Sequence, residues 1–501
     1  MPLNEYLRFV MRLPFLSFRL DFAYVGLWAG PLLFLLMMLA NPADFTTDQW
    51  KVMSVAAFML VWWLTEAVPI AVTSLLPILL LPSLGVLSLK DTTAPYGSDI
   101  VYLFLGGFMI AMALEKWQLH RRIALGIVRL TGTEANRIIL GFMLATAALS
   151  MWISNTACAV MMLPMGLSVI QLVQNSTGDN DDRGRRYFSI SLLLGIAYAA
   201  NAGGIGTLVG TPPNLVMAGY LREQMGIDVS FLDWMKVGLP FSLALLVATY
   251  LVLTKFLFPN GLGVIKGAEE LIEREYKELG PLGEPEIRVL AVFVFTALLW
   301  IFRSWLDSIL PFMGLNDTSI AIAATVLLFI IPSRRASKKK LLEWEDSKSL
   351  PWGILLLFGG GLSLAAALQS VGIIKRIGDG ISSMGIEGSF GLMMALTVVA
   401  LFLTEVMSNV ALTMVFVPVA AAIGIGVGAS PLYFVIPVTI ASSCAFMLPM
   451  ATPPNAIVFA SGHLKISDMA RAGLVLNLLA ALLISLMAVL LMGQWEQVVI
   501  K

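Results

Sequence analysis

Hydroxyl and amide side chains gather at four places inside otherwise apolar stretches of this sequence. Two of these places carry Ser154-Asn155-Thr156 and Ser408-Asn409-Val410, and the pair Thr404-Glu405 comes just before the second. The other two are the matching motifs Thr211-Pro212-Pro213-Asn214 and Thr452-Pro453-Pro454-Asn455. Neutral oxygens of this kind ligate hard cations such as sodium, and hydroxyl or amide protons bind anions. The four clusters therefore indicate a site for small ions.

These clusters belong to an internal repeat. A shift of 254 residues places Gly106-Gly107 on Gly360-Gly361, Ser154-Asn155 on Ser408-Asn409, and Pro164 on Pro418. The two Thr-Pro-Pro-Asn motifs are related by a shift of 241 residues. Chance does not explain one offset shared by several uncommon positions, so the sequence predicts two copies of one structural plan.

The elements that position the clusters are predicted to lie in a membrane. The chain has 501 residues, of which 58% are apolar and 13% are charged, whereas a soluble domain is about half apolar and a quarter charged. A helix needs about 20 apolar residues to cross a bilayer. The candidate spans are residues 22–40, 50–68, 70–89, 100–117, 138–172, 187–222, 236–258, 289–311, 317–332, 352–371, 388–427, 431–460 and 470–493. The predicted fold class is an all-α polytopic membrane protein.

Two of the candidate spans, 138–172 and 388–427, are about twice as long as one crossing helix, and each has a Ser-Asn cluster near its middle. Each can be two crossing helices joined by a polar turn, or a re-entrant hairpin whose tip stops in mid-membrane. Non-helical backbone at that depth is tolerated only where it is buried in protein or lines a cavity. Two hairpins leave about 11 transmembrane helices.

The Thr-Pro-Pro-Asn motifs predict that two further helices are broken. A proline removes a backbone donor and clashes with the preceding turn, and the residue before it is driven out of helical geometry. The stretches 187–222 and 431–460 are each expected to unwind at the motif and restart. A kinked but continuous helix is the alternative for one isolated motif, and the recurrence of the motif favours the break.

The distribution of basic residues predicts the orientation. With the N-terminus in the cytoplasm and both hairpins not crossing, 24 of the 32 lysines and arginines fall on the inner side, in agreement with the positive-inside rule. The C-terminus is then outside, and an odd number of crossings inverts the second repeat relative to the first. The predicted units are 1–48 (N-terminal segment and first span), 49–260 (first repeat), 261–288 (cytoplasmic amphipathic connector) and 289–501 (second repeat).

Inverted repeats with paired broken helices are typical of secondary transporters. The predicted centre of the membrane has no lysine or arginine to neutralise an anion, and an unpaired buried charge is costly. An anionic substrate would therefore have to travel with cations. The net charge is zero, so the composition gives no basic surface for nucleic acid. The chain has only two histidines and two cysteines, which disfavours an enzyme active site or a zinc centre.

The paired motifs, together with the run Trp62-Trp63-Leu64-Thr65-Glu66-Ala67, resemble those of the divalent anion/sodium symporter family, the sodium-coupled di- and tricarboxylate carriers. The resemblance covers roughly residues 50–490. It implies a plasma-membrane protein (the inner membrane in bacteria) that imports succinate, malate, fumarate or related di- and tricarboxylates with Na+ as the coupling ion. It also implies a homodimer and elevator-type alternating access, in which a mobile transport domain moves against a static scaffold.

The resemblance further implies roles for individual residues. The first sodium site would use Ser150, Ser154, Asn155 and the carbonyl group of Gly210. The second would use Thr404, Asn409 and the carbonyl groups of Met407 and Ala451. The substrate would contact Asn155, Thr156, Thr211, Asn409, Val410, Thr452 and Pro453. Many family members have threonine at the position of Val410, so one substrate hydrogen bond is expected to be absent here.

Other interpretations stay open at this point. A dicarboxylate exchanger or a proton-coupled anion transporter of the same superfamily would have a similar sequence, with sulfate as an alternative substrate. A channel is disfavoured, because hairpins with occluded tips suit alternating access better than a continuous pore. Glu66 and Glu405 are acids in apolar surroundings and so are functional candidates. Glu405 could attract cations or order the second tip, while a structural role is the alternative for Glu66.

Overall fold

The computed structural model of the chain describes residues 22–499 apart from 41, 177–181, 310, 335–338 and 384–388. Within the described residues the chain is helical, and extended pairing is limited to two isolated bridges, Glu134–Val264 and Pro332–Lys340. The N-terminal part of the predicted segment 1–48 and the C-terminal lysine lie outside the described residues. The predicted positions of the two chain ends therefore stay predictions.

The helices of the first half and the connector are α1 Phe22–Leu39, α2 Thr47–Thr65, α3 Ile70–Thr73, α4 Leu76–Ser83, α5 Leu89–Thr93, α6 Asp99–Lys116, α7 Leu119–Thr131, α8 Ala135–Ser150, α9 Asn155–Ser176, α10 Asp182–Ile205, α11 Pro212–Met225, α12 Phe231–Leu251 and α13 Ala268–Glu278. Those of the second half are α14 Glu284–Ile309, α15 Asp317–Ile330, α16 Trp352–Ser370, α17 Ile373–Ser383, α18 Ser389–Leu403, α19 Asn409–Gly426, α20 Leu432–Ser442, α21 Pro453–Phe459 and α22 Ile466–Val499. A π-helix, Val252–Leu257, continues α12.

Nine helices in the described part of the chain are long and apolar enough to cross a membrane. Five shorter apolar helical segments accompany them: Ile70–Ser83, Ala135–Ser150, Asp317–Ile330, Ser389–Leu403 and Leu432–Ser442. Three of these five belong to the predicted hairpins or to the second predicted broken helix. The short helices are thus concentrated where the polar clusters lie.

Two predicted spans differ in the structure. The stretch 70–89 forms two short helices, because Pro77 lacks the N–H group that would bond to the carbonyl of Thr73, where α3 ends. The stretch 317–332 forms the 14-residue α15. At 1.5 Å per residue such a helix is about 21 Å long, which is shorter than the hydrocarbon core of about 30 Å.

Matching helices of the two halves begin at matching residues. Starting residues 254 positions apart are Leu119 and Ile373, Ala135 and Ser389, and Asn155 and Asn409. Helices α11 and α21 begin at Pro212 and Pro453, which are 241 positions apart. The offsets found in the sequence therefore recur as helix boundaries.

The repeated glycine pairs allow two similar helix contacts. A Cβ atom on Gly106 of α6 would lie 2.9 Å from the carbonyl carbon of Ala321 in α15. A Cβ atom on Gly360 of α16 would lie 2.3 Å from the carbonyl oxygen of Ser74, between α3 and α4. Only glycine permits backbones to approach so closely. In both halves, therefore, a glycine-bearing helix packs on the short helical segment near the start of the other repeat.

Helix α10 lies at the centre of the molecule. Its most apolar 18-residue window is entirely buried, and it packs against α8, α9, α12 and α21. Small residues make this possible: a Cβ atom on Gly203 would lie 2.3 Å from the carbonyl oxygen of Ala147 in α8. The helix ends at Ile205, just before the first Thr-Pro-Pro-Asn motif. It therefore reaches both the first hairpin and the segment that the motif interrupts.

Candidate functional site

The tip of the first hairpin, formed by α8 and α9, brings Ser150 and Asn155 together. The hydroxyl oxygen of Ser150 lies 2.6 Å from Oδ1 of Asn155 and 2.7 Å from the carbonyl oxygen of Ala200 in α10. Ser154 caps α9, because its hydroxyl oxygen accepts a hydrogen bond of 3.2 Å from the N–H group of Ala157. The cap fixes the start of α9, and with it the position of Asn155.

The tip of the second hairpin, formed by α18 and α19, repeats this arrangement. The hydroxyl oxygen of Thr404 lies 2.8 Å from Oδ1 of Asn409 and 2.6 Å from the carbonyl oxygen of Ser442, at the end of α20. The shift of 254 residues that relates the repeats places Thr404 on Ser150 and Asn409 on Asn155. Both tips therefore combine a hydroxyl group, an amide oxygen and a backbone oxygen from a neighbouring helix.

In each of these two groups of three oxygens, which we call the oxygen triads, one hydroxyl group lies within hydrogen-bonding distance of two acceptor oxygens. A hydroxyl group has one hydrogen to donate, so Ser150 and Thr404 can each satisfy only one of the two oxygens that they contact. A cation between the three oxygens would satisfy the remainder, and sodium prefers such oxygen ligands. In the described part of the chain no group of three or more His, Cys, Asp or Glu side chains could hold another metal. The triads therefore suit a hard monovalent cation.

The first break, residues 206–211, separates α10 from α11, as the motif predicted. Asn214 donates through Nδ2 to the carbonyl oxygens of Gly204 at 3.2 Å and Thr207 at 2.8 Å. Trp234 of α12 donates through Nε1 to the carbonyl oxygen of Ile205 at 2.8 Å. Carbonyl groups that lost their helical partners are thus bonded by side chains on the two following helices.

Gly204 lies where the first break meets the first tip. A Cβ atom at this residue would lie 2.7 Å from Oδ1 of Asn155 and 3.2 Å from the carbonyl oxygen of Gly210. Two predicted sodium ligands, Asn155 and Gly210, therefore lie next to the same residue. The absence of a side chain at Gly204 leaves space between these oxygens.

The second break, residues 443–452, separates α20 from α21. Asn455 donates through Nδ2 to the carbonyl oxygens of Ala445 at 3.2 Å and Leu448 at 3.1 Å. The shift of 241 residues places Asn455 on Asn214, and it places the two acceptors on Gly204 and Thr207. The last residue of the motif therefore has the same bonding role in both repeats.

Glu405 stabilises the second break from the neighbouring hairpin tip. This side chain is only 3% exposed, and its carboxylate accepts hydrogen bonds from the N–H groups of Phe446 at 2.8 Å, Met447 at 3.0 Å and Leu448 at 3.2 Å. It also accepts one of 2.8 Å from Nδ2 of Asn477 in α22. These bonds occupy the roughly four lone-pair positions of a carboxylate. Glu405 thus orders the break and has no acceptor position left for a cation.

Comparison with known proteins identifies the family. Residues 27–500 match the family described as the sodium:sulfate symporter transmembrane region. The chain belongs to this family. A relative named sodium-dependent dicarboxylate transporter SdcS, from Staphylococcus saprophyticus, is 40% identical over 466 residues, which cover 92% of this chain and 90% of that protein. SdcS of Staphylococcus aureus strain USA300 is 41% identical with the same coverage.

Two solved transporters share the fold of this symporter at low identity. The YdaH transporter of Alcanivorax borkumensis matches with a TM-score of 0.60 and 13% identity, covering 96% of this chain and 100% of that one. The efflux pump MtrF of Neisseria gonorrhoeae matches with a TM-score of 0.51 and 13% identity, covering 81% and 83%. The family shows that the chain is a membrane transporter, and these two structures share its fold.

All eight sodium ligands predicted for this symporter lie at the two tips or in the breaks beside them. Ser154 is exposed at the first tip, and its hydroxyl oxygen is the cap described above. Met407 and Ala451 are buried. No hydrogen bond among the described residues joins either of them to Thr404 or Asn409, so the roles of their carbonyl groups stay predictions.

The predicted substrate residues of the symporter fall into two groups. Thr211 and Thr452 are buried and precede the first turns of α11 and α21. Thr156 and Pro453 are exposed and Val410 is half-buried. Thr156 and Pro453 belong to α9 and α21, which pack against each other. The two exposed residues of the predicted set therefore lie on this helix pair, and Val410 lies on α19.

The motifs alone assign no role to Asn214, Asn455 or Asn201, although the structure places all three at the centre. A signal for the first two was present in the sequence, since both end the same four-residue motif. Asn201 is a lone amide in an apolar helix and is 1% exposed. The predicted functional candidate Glu66 differs from Glu405: it is exposed at the end of α2, with a left-handed φ of 46°.

Proposed function

We propose that this symporter imports succinate, malate, fumarate or related di- and tricarboxylates together with Na+. The observation that carries the proposal is the pair of equivalent oxygen triads at the hairpin tips, each with one hydroxyl proton for two acceptor oxygens. Two matching cation sites suit a divalent anion held between them. The staphylococcal relatives named as sodium-dependent dicarboxylate transporters support this substrate class.

Charge balance supplies the physical reason for coupling. A dicarboxylate brings two negative charges, while ion pairs of the described arginines lie away from the tips, as in Arg122–Glu286 and Arg222–Asp99. Helices α9 and α19 begin at the tips, and their first N–H groups add positive potential there. Two sodium ions would neutralise the rest of the charge. Without them, burial of the dianion would be too costly.

We assign the ions to the residues predicted above. The first sodium ion would bind Ser150, Ser154, Asn155 and the carbonyl group of Gly210, and the contacts around Gly204 support this grouping. The second would bind Thr404, Asn409 and the carbonyl groups of Met407 and Ala451. The substrate would contact the two asparagines together with Thr156, Thr211, Val410, Thr452 and Pro453.

We propose further that both hairpins are re-entrant. Helices α8 and α18 contain 16 and 15 residues, which correspond to lengths of about 24 and 22 Å. Both are shorter than the hydrocarbon core of about 30 Å, so each tip would stop inside the membrane. If every other predicted stretch crosses once and the basic residues set the orientation, the topology has about 11 crossings, two inverted repeats, an inner N-terminus and an outer C-terminus.

Hydrogen bonds suggest which parts would move together. The tips bond to the broken helices through Ser150 with Ala200 and through Thr404 with Ser442. We propose that hairpins and broken helices form the transport domain of an elevator. Helices α6, α15 and α16 would belong to the scaffold, and two protomers would pair in the plasma membrane.

Uptake into proteoliposomes tests the proposal. Purified protein would be reconstituted, and labelled succinate uptake measured with an inward sodium gradient and with choline in place of sodium at fixed pH. We expect uptake only with sodium, and unchanged uptake in choline would refute symport. A requirement for internal dicarboxylate would establish exchange instead. Competition by unlabelled sulfate would decide whether that anion shares the site.

The site assignment has its own test. Asn155→Ala and Asn409→Ala each remove an amide oxygen from one triad, so sodium-dependent uptake should fall to background while the protein elutes as a folded species. Asn136→Ala is a matched control, because Asn136 bonds to Asn260 away from both tips. Full activity in both tip variants would contradict the assignment.

A further inference from the structure

Asn201 connects the first hairpin tip to the second break. Its Oδ1 accepts a long hydrogen bond of 3.5 Å from Nδ2 of Asn155. Its Nδ2 donates to the carbonyl oxygen of Ala445 and to the hydroxyl oxygen of Thr452, both at 3.2 Å. One amide therefore contacts a proposed ligand of the first sodium site and the residue that follows Ala451 of the second.

The helix that carries Asn201 is well placed to connect the two regions. Tyr198, on the same face one turn earlier, donates to the carbonyl oxygen of Phe446 in the second break at 2.7 Å. Ala200, beside Asn201, accepts the contact from Ser150 of the first triad. Helix α10 is buried over its apolar length, so its neighbours hold it in position. Because α10 is tightly packed, a movement of the helix at one of these contacts also shifts its other contacts.

The connection runs from the first repeat to the second. The shift of 241 residues places Asn201 on Ser442, whose hydroxyl group contacts Thr413 of its own repeat at 2.7 Å. Within the described residues, no side chain of α20 makes a hydrogen bond to the first break. The pseudo-symmetry of the tips is therefore broken at this residue.

We infer that Asn201 is a positioning residue that couples the two proposed sodium sites. The inference rests on the proposed function. An amide has its acceptor on one side and its donors on the other. Sodium bound to Oδ1 of Asn155 would turn the Nδ2 of that residue toward Asn201, and this fixes Oδ1 of Asn201. The donors of Asn201 must then point to Ala445 and Thr452. Sodium at the first site thus favours the backbone arrangement of the second break in which the second sodium ion can bind.

The coupling is measurable as cooperativity in sodium. We expect the sodium dependence of succinate uptake by the unaltered protein to have a Hill coefficient well above one, since two coupled sites allow values up to about two. In Asn201→Ala the coefficient should fall to about one, and the half-saturating sodium concentration should rise by about fivefold or more. Tyr198→Phe is the matched control: it removes one bond to the second break and leaves the amide relay intact, so its coefficient should not change.

A second measurement covers the case in which Asn201→Ala does not transport. Sodium-dependent thermal stabilisation in detergent with succinate present reports binding without transport, and the loss of cooperativity should appear there too. Asn201→Ser, which keeps a small polar group, serves if the alanine variant does not fold. An unchanged Hill coefficient in a folded variant overturns the inference, and so does an equal loss in Tyr198→Phe. Absence of sodium dependence in the unaltered protein would instead overturn the proposed function.

Discussion

The two breaks occupy matching positions but are built from different residues. The first break and the end of α10 just before it are rich in glycine. A shift of 241 residues pairs Gly203, Gly204, Gly206 and Gly210 with Cys444, Ala445, Met447 and Ala451. At the end of α10 the missing side chains of Gly203 and Gly204 let the backbone lie against α8 and against Asn155. In the second, where side chains are present, the carboxylate of Glu405 bonds to three consecutive N–H groups.

The first break has no such carboxylate, because the first repeat has a different residue at the position equivalent to Glu405. A shift of 254 residues places Glu405 on Met151, whose carbonyl oxygen accepts a hydrogen bond from the hydroxyl group of Thr207. An unwound segment can thus be stabilised by close packing or by a buried charge. The first break should tolerate no added volume, and the second should tolerate no loss of charge.

The largest expected effect is that of Gly204→Ala, at the end of α10 just before the first break. The new methyl group would lie 2.7 Å from Oδ1 of Asn155, so we expect sodium-dependent uptake to fall to background. Ala445→Gly, at the matching position of the second break, should keep uptake and lower the unfolding temperature slightly, because glycine costs about 1 kcal/mol of backbone entropy. Gly126→Ala in α7, where a Cβ atom meets nothing within 4 Å, is the control. Normal uptake in Gly204→Ala would contradict the steric account.

The next effect is that of Glu405→Gln in the second break. The amide keeps one acceptor oxygen, but its NH2 group would face backbone N–H groups that now bond to the carboxylate. The hydrogen bonds lost in this way contribute about 1.5–3 kcal/mol each, because their acceptor is charged. We expect a lower unfolding temperature in detergent and a half-saturating sodium concentration at least about tenfold higher. Glu66→Gln changes an exposed acid and should leave both quantities unchanged. Equal effects at the two glutamates would remove the distinction between them.

The effects of substituting the two equivalent asparagines, Asn214 and Asn455, should be of intermediate size, and their difference compares the two breaks directly. Asn214→Ala and Asn455→Ala each remove the side-chain hydrogen bonds to two carbonyl oxygens, at a cost of about 0.5–1.5 kcal/mol for each bond. Asn214→Ala should raise the half-saturating sodium concentration more, because Glu405 and Tyr198 also stabilise the second break. Sodium titrations of succinate uptake measure the difference. A larger effect at Asn455 would show that the bonds from Glu405 do not substitute for it.

The smallest effect concerns the substrate contacts of the two repeats. A shift of 254 residues places Val410 on Thr156. Val410→Thr restores a hydroxyl group, and one added hydrogen bond of about 0.5–1.5 kcal/mol should lower the KM for succinate severalfold. Thr156→Val should raise it by a similar factor. KM values measured at saturating sodium would decide, and no change in either variant would remove both residues from the substrate site.

The contacts at the tips could be predicted from the sequence, whereas those at the breaks could not. Ser150 with Asn155 and Thr404 with Asn409 are five residues apart around a turn, and the family resemblance assigned each pair to one sodium site. The partners of Asn214 and Asn455 depend on the path of unwound backbone, which has no periodicity to read. Asn201 contacts residues 244 and 251 positions away, so its role needed the three-dimensional arrangement.

The helices themselves could be predicted where proline and hydropathy agree. Both broken helices restart at Pro212 and Pro453, as the motifs predicted. The division of 70–89 was missed, although Pro77 gave the signal. There an apolar run without polar residues resembles a span, and only the lost bond to Thr73 distinguishes two short helices from one.

The burial of α10 has a consequence for how the protein is made. Among the nine long apolar helices of the described chain, α10 has the lowest mean hydropathy, and Tyr198 and Asn201 lie within it. During synthesis it enters the membrane long before Ala445, its partner 244 residues later, exists. Its polar groups must meanwhile stay with water, the insertion machinery or neighbouring helices, because lipid cannot satisfy them. The polar groups of α10 therefore reach their final partners only after the second break, near the end of the chain, has been synthesised.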